Sequence, residues 1–393
     1  YWQYQYHQTE LRKRNMHTEE LRFFGNDIIN NNLFTFSNTF GFYYKNLEEI
    51  DDAKGWILGG EDVGLNSIYK INNYAFFNES KINRNKINII LNSRFEKMDI
   101  NYNATHFHEE YDENYYPIYD TTQVYKKITN NLIGGRISAL YKINKLNNIY
   151  FSLSTGFKAG GINQNPRLSI KNQSFEPETN NNIDLGYRHT DKNISYNINL
   201  FYMMRTNLQT NLSSQQDDQN PNSFYFYTSN ASEGYNYGLN LDFKINEANN
   251  LKSYFNIGLL KTNISTYEYM VDTSTTIIVP EREAAHAPLY TFAFGFTKYY
   301  EKFYFGIDIQ GKDKFYFSDT HNQISEPYAI ANFDFTYKIN KNINISIWSK
   351  NIFNKKYAIR GFYFALEPPL WEDKLYLMYG HPFTIGTTIK YRI

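Results

Sequence analysis

Residues 332–348 read NFDFTYKINKNINISIW, and their rhythm decides the fold. Phe333, Phe335, Tyr337 and Ile339 take every second position, with Asn332, Asp334, Thr336 and Lys338 between them. After the polar bend Asn340-Lys341-Asn342 the beat resumes at Ile343, Ile345 and Ile347. A period of two belongs to a β-strand, whose side chains point alternately to opposite faces. One face is therefore apolar and the other wet, on both sides of a tight turn.

The same beat recurs along the chain. Ile194, Tyr196, Ile198, Leu200 and Tyr202 alternate with Asn193, Ser195, Asn197 and Asn199. Leu239, Leu241, Phe243 and Ile245 alternate with Asn240, Asp242 and Lys244, and Phe292, Phe294 and Phe296 follow later. No stretch carries the 3.6-residue spacing of a helix, and the enrichment in Tyr, Phe, Ile and Thr favours strands. Counting segments this way gives roughly sixteen strands.

Composition narrows the class. Of 393 residues, 40 are Lys or Arg and 40 are Asp or Glu, so no basic field exists to attract nucleic acid. Cys is absent, which excludes disulfides and thiolate chemistry. There are 37 Tyr and 31 Phe, yet mean hydropathy is −0.61. No apolar run approaches the ~18 residues that a membrane-spanning helix needs. The opening YWQYQYHQTELR has no Met, basic segment or apolar core of a leader, and reads as a cut end.

Connection lengths carry a second pattern. Short polar turns are expected near 144–148, 189–193, 246–250 and 340–342. Long polar connections are expected near 104–130, 158–177, 209–223, 262–287, 312–328 and 354–381. Short turns at one end and long loops at the other mark a transmembrane β-barrel. In hydrocarbon no water satisfies backbone groups, so an antiparallel sheet must close on itself. Phe333, Phe335, Tyr337, Ile339, Ile343, Ile345 and Ile347 would then face lipid, and the Tyr and Phe surplus would form interfacial girdles. A soluble all-β protein such as a propeller also alternates, but no blade-length repeat is present.

Several stretches are more specific: GFKAGGIN (156–163), PET (177–179), NIDLGYRH (182–189), LFYMMRTNLQTNL (200–212) and SNASEGYNYGLNLDF (229–243). AP (287–288), ISIWSKNIFNKKYAIRGFYF (345–364) and GHPFTIGTTIKYRI (380–393) complete the series. In this order they resemble the C-terminal barrel of TonB-dependent outer-membrane receptors, from HTEELRF (17–23) to the last residue. The resemblance implies an all-β antiparallel transmembrane barrel of about 22 strands, with an N-terminal plug that the sequence does not display. Residues 1–393 would be one domain, the C-terminal portion of that barrel. The whole receptor would sit in the outer membrane of a Gram-negative bacterium. It would capture a scarce nutrient (an iron chelate, a vitamin or a glycan) and contact TonB only through the plug. Gly386, Ile389, Tyr391 and Ile393 match the spacing by which the barrel-assembly machinery recognises last strands, although the family usually ends in Phe. No cofactor is expected, and no enzyme motif is present. A passive porin or a non-transporting remnant are the competing readings.

Physical roles are expected for some of these residues. Gly156, Gly160, Gly161 and Gly361 would supply dihedral freedom where strands enter long loops. Pro177 suits a strand start, and Trp348 and Tyr357 would flank a hairpin bend as girdle residues. The ligand-site candidate is THFHEEYDENYYPIYD at 105–120. Tyr111, Tyr115, Tyr116 and Tyr119 would make a stacking surface with polar tips. His106 and His108, with Glu109 and Glu110, are weak metal candidates, because His-x-His on a strand puts both rings on one face. The plainer reading of this stretch is a solvated acidic loop. RGFYFALEPPLWEDKLYLMYGHP at 360–382, stiffened by Pro368 and Pro369, reads as a structural cap over the barrel mouth.

Overall fold

The computed structural model describes residues 7–57, 62–165, 168, 170–215, 224–230, 233–270, 276–319, 321–364 and 374–392. Five tall strands come first: β1 (Gln8–Asn30), β2 (Thr35–Ile57), β3 (Asp62–Arg84), β4 (Ile87–Tyr111) and β5 (Pro117–Lys142). Then come β6 (Asn147–Lys158), β7 (Gly161–Ile162), β8 (Ser174–Phe175), β9 (Glu178–Thr190) and β10 (Ile194–Thr206). The middle of the chain forms β11 (Gln209–Gln215), β12 (Phe224–Asn230), β13 (Gly234–Ala248), β14 (Leu251–Ile264), β15 (Tyr267–Met270) and β16 (Thr276–Val279). The last elements are β17 (Tyr290–Tyr299), β18 (Phe303–Lys312), β19 (Tyr328–Lys338), β20 (Ile343–Lys350), β21 (Ala358–Phe364), β22 (Lys374–Tyr379) and β23 (Thr384–Tyr391). Among the described residues the helical content is one 3-10 turn, Ile170–Asn172.

Fifteen strands form one antiparallel sheet in the order β1-β2-β3-β4-β5-β6-β9-β10-β13-β14-β17-β18-β19-β20-β23. Its register joins like with like. Leu200 lies between Leu185 and Leu239, and Leu239 faces Leu259. Phe335 lies between Phe305 and Ile347, and Tyr337 between Phe303 and Ile345. Ile345 in turn faces Ile389. The alternate positions put Asn332, Asp334 and Thr336 on the opposite face beside Asp308, Gly306 and Ser346.

The apolar face is uncovered. Phe333 is 36 % exposed, Ile347 46 % and Ile389 70 %. The wall strands touch their lateral neighbours, and the added contact is β7 against β4 and β5, on the polar face. Among the described residues there is thus no second layer into which the Phe and Ile side chains pack, which separates this sheet from a sandwich. On the polar face Thr336, Ser152 and Asn73 are buried.

Tight connections at 31–34, 85–86, 143–146, 191–193, 249–250, 300–302 and 339–342 share one end of the sheet. The long ones (159–177, 207–233, 265–289, 313–327 and 351–383) share the other. Strands β1 to β5 are 23 to 26 residues long, so the wall rises highest there. On β2 the outward positions run Phe40, Phe42, Tyr44, and then Asn46 and Glu48; on β3 they run Phe76, Tyr74, and then Asn72 and Lys70. The Tyr44 and Tyr74 rings, 5.2 Å apart, mark where the apolar band stops.

Four expectations change. The 104–130 connection is not a loop: β4 and β5 stay paired from Ile87↔Tyr141 to Tyr111↔Pro117, leaving only 112–116 as a turn. Above the apolar band the outward positions turn polar, and the apolar residues Ile100, Ala104, Val124 and Ile128 stand inward instead, which hid the strands. The connections at 207–233, 265–289 and 351–383 contain hairpins of their own, β11–β12, β15–β16 and β21–β22. Among the described residues the count is therefore fifteen wall strands plus four short pairs in place of roughly sixteen. Trp348 is not on the apolar face. It faces Asp334 and Gly386, shares the side of Ser346, and its Nε1 donates to Thr388 Oγ1 at 3.2 Å.

Gly160, Gly161 and Gly361 act by size, and Gly156 has nothing within 4 Å of where its Cβ would be. None of Gly156, Gly160, Gly161 or Gly361 has a positive φ. A Cβ on Gly160 would run into Phe175 O and Asn130 Oδ1, and one on Gly161 into the Phe175 ring. Gly361 likewise lies under the Phe317 ring. Pro177 stands immediately before β9, as a residue without an amide hydrogen should.

Candidate functional site

The long-connection end gathers the candidate residues. At the tip of the β4–β5 hairpin, Asp112 Oδ1 accepts from the amides of Asn114 and Tyr116, each at 2.8 Å. The Tyr115 amide donates to Asp112 O at 2.9 Å, and Tyr115 adopts a left-handed φ of 63°. This turn throws Tyr115 (86 % exposed), Tyr116 (69 %) and Tyr119 (67 %) into solvent together. All three rings are exposed at the same end of the hairpin. The side chains of Tyr111 and Glu110 lie outside the described residues, as do Ile393, Pro368 and Pro369.

His106 and His108 point to the polar face from consecutive inward positions of β4, as the His-x-His spacing requires. The solvated-loop reading fails for them, because His106 is 1 % exposed and His108 8 %. Their partner is Asp62 on β3, itself fully buried. His106 Nδ1 lies 2.7 Å from Asp62 Oδ2, and His108 Nδ1 lies 2.5 Å from Asp62 Oδ1. A carboxylate only accepts, so both Nδ1 atoms donate, and His108 Nε2 shares a hydrogen bond of 2.7 Å with Thr122 Oγ1. Three of the four ring nitrogens are thereby engaged in hydrogen bonds. Among the described residues no group of three or more His, Cys, Asp or Glu is arranged to hold a metal. Asp62 was not visible from the sequence, because it lies 44 residues away from His106 and only strand register joins them.

Beside this cluster the GFKAGGIN segment folds inward. Ile162 is buried against Ile100, Tyr102 and Ala104, with Leu65, Tyr69, Val124 and Ile128 around it. Asn130 Nδ2 donates to Gly160 O at 3.2 Å and holds the segment to the wall. Further out, Arg205 pairs with Glu178 at 2.6 Å, and Glu178 Oε2 accepts from the Gln209 amide at 3.0 Å. A second apolar cluster, Leu168, Leu212, Tyr227, Ile264, Tyr267 and Val279, draws on three different long connections. Burial there pushes the Tyr267 phenol up to about 12, with the neighbouring Asp319 charge adding to the effect. Tyr267 therefore stays a donor, and its hydroxyl donates to Asp319 O at 3.0 Å.

On β23, Ile389 and Tyr391 lie on the exposed apolar face, whereas Gly386 lies on the other face under Trp348.

The family model described as "TonB dependent receptor-like, beta-barrel" matches residues 1–352. Among curated proteins none matches the sequence. Similar solved structures include the ferric yersiniabactin uptake receptor FyuA from Yersinia pestis, at TM-score 0.72 and 15 % identity over 98 % of this chain and 55 % of that one. The ferric citrate transporter FecA follows at TM-score 0.68 and 14 % identity, over 97 % of this chain and 56 % of that one. The ferric-catecholate import receptor Fiu from Escherichia coli K12 stands at TM-score 0.66 and 13 % identity, over 97 % and 55 %. The chain thus spans about half the length of the solved structures it resembles.

Proposed function

Because this chain belongs to the TonB-dependent receptor-like β-barrel family, we propose that it is the larger part of the outer-membrane wall of a receptor that takes up a scarce nutrient against its gradient. The observation that carries the reading is the family match over residues 1–352, joined to a sheet whose apolar face has no covering layer. In that setting Phe333, Phe335, Tyr337, Ile339, Ile343, Ile345 and Ile347 meet lipid, and the Asn, Asp and Thr face lines an aqueous lumen. The ferric chelates taken up by the similar receptors make such a chelate the first nutrient to try, ahead of a vitamin or a glycan. TonB acts through a plug that accompanies this wall in the whole receptor. The barrel-assembly machinery inserts the wall by reading Ile389 and Tyr391. The wall itself breaks no bonds.

The test uses the product of the complete reading frame in an iron-limited Gram-negative host. Saturable uptake of a labelled ferric chelate, lost when TonB is deleted or the proton gradient is collapsed, is the expected result. Flux that neither saturates nor depends on TonB would make the protein a porin instead.

The exposed tyrosines at the β4–β5 tip are the proposed ligand contact. Replacing Tyr115 and Tyr116 by Ala in the full receptor should weaken chelate uptake about tenfold, the order expected when two aromatic contacts are truncated. The heat stability of the barrel should not change, since both rings stand in solvent. Unaltered uptake would remove this tip from the binding surface.

A further inference from the structure

A continuous set of contacts joins the long connections. Arg282, between β16 and β17, is the hub. Its backbone pairs with Ile264 in an antiparallel bridge, Ile264 N donating at 2.8 Å and Arg282 N at 3.1 Å. Its guanidinium reaches into the next connection, where Nη2 donates to Ser318 O at 3.0 Å and His321 O at 2.9 Å, and Nη1 to Asn322 Oδ1 at 3.2 Å. The same group lies 4.3 Å from the Tyr316 ring centroid. Ala285 N donates to Asp319 Oδ1 at 2.6 Å, and Tyr267 supplies its hydroxyl to Asp319 O.

From this hub the contacts run both ways. Forward in the chain, Gln323 Nε2 donates to Tyr363 Oη at 2.8 Å, and the His321 and Tyr363 rings meet edge-on at 5.1 Å. That ties in the β21–β22 hairpin. Backward, Ile264, Tyr267 and Val279 share one apolar cluster with Leu212 and Tyr227 of the β11–β12 hairpin and with Leu168. The hairpin is then fastened to the inward segment. Asn163 Nδ2 donates to Thr228 O at 2.8 Å while Asn163 Oδ1 accepts from Thr228 N at 2.9 Å, and Gln209 Nε2 donates to Ala159 O at 2.9 Å. One residue before Asn163, Ile162 is seated in the wall of β3 to β5.

We infer that the described parts of these connections form one cooperative lid, keyed by Arg282 at one side and anchored by Ile162 on the inner wall at the other. Displacing any one of them disturbs the rest, including an anchor more than a hundred residues away in sequence. A ligand touching the outermost hairpins therefore acts on the lumen wall through the lid and needs no contact with it. Local openings in proteins follow such contiguous units, and amide exchange reads them directly.

The experiment is hydrogen exchange, followed peptide by peptide, on the full-length receptor in lipid nanodiscs. Arg282→Ala should raise exchange about tenfold or more, as loss of a charge-assisted hydrogen-bond set does. The rise should appear at 315–323 and also at 159–163 and 209–212. Tyr115→Ala, at the solvent tip outside the lid, should leave all three stretches unchanged. Acceleration confined to 279–286 and 315–323 would overturn the inference. Tyr267→Phe removes a single hydrogen bond and serves if Arg282→Ala does not fold, with the same two outcomes. Neither ligand nor TonB enters the measurement, so a failure of the uptake reading cannot be mistaken for a failure of the lid.

Discussion

At Gly160 the constraint is space, and it is sharp enough to test. A methyl there would meet Phe175 O and the Asn130 amide, both fixed by the segment that carries Ile162 inward. Four residues earlier Gly156 has nothing within 4 Å of where its Cβ would be. Gly160→Ala should therefore destabilise the folded receptor by about 1–3 kcal/mol, the ordinary cost of overpacking a tight site. Gly156→Ala should stay within about 0.5 kcal/mol, as substitutions in open surroundings do. Urea midpoints of the receptor folded in lipid vesicles would decide. Equal effects at the two positions would show that backbone freedom, and not room, is what the glycines supply. The sequence shows four glycines near loop entrances and cannot tell those two roles apart, because the neighbour that crowds Gly160 comes from β8, across the loop. The same limit hid Asp62, whose role exists only once β3 and β4 are in register.

Strand β19 carries the lipid argument in its simplest form. Phe333 and Tyr337 share its apolar face, but Tyr337 lies one residue from the end of the strand, next to the tight turn at 339–342, and Phe333 lies deeper. A lysine on a lipid-facing strand costs about 2–4 kcal/mol near the bilayer midplane and about 0–1 near the interface. Phe333→Lys should therefore fall in the first range and Tyr337→Lys in the second, by unfolding free energy in vesicles. In a water-exposed sheet both would be mild, and two small values would sink the membrane reading. Such wall strands were readable because the two-residue period survives wherever one face is apolar and the other polar. Higher up, the outward positions turn polar while Ile100, Ala104, Val124 and Ile128 stand inward among polar residues, and the phase breaks. The upper halves of β4 and β5 consequently read as a loop, and four-residue strands such as β15 and β16 offer too few alternations to register. Trp348 was misplaced for a related reason. Its even position already put it with Ser346 on the wet face, but a tryptophan near a turn resembles a girdle residue, and size outweighed phase.

For the molecule as a whole the decisive feature is its two outer strands. β1 pairs with β2 and β23 pairs with β20, and no ladder among the described residues joins β1 to β23. Every residue of β1 is exposed except Gly25, and every residue of β23 except Gly386. Each edge thus presents a row of backbone donors and acceptors. In hydrocarbon an unsatisfied backbone group costs several kcal/mol, so a row of them is not sustainable in a bilayer without a partner strand. In the family reading that partner is more receptor wall between the two edges. The porin reading requires these same residues to close a channel by themselves. The 393-residue chain, refolded alone and added to planar bilayers, should accordingly give no steady single-channel steps. Amides of β1 should exchange far faster than those of β4, which is paired on both sides. In the product of the complete reading frame the β1 amides should become as protected as those of β4. Steady unitary conductance from the chain alone, together with slow exchange in β1, would mean that its edges find each other. The wall would then be a self-sufficient pore, and the energised receptor would lose its strongest physical support.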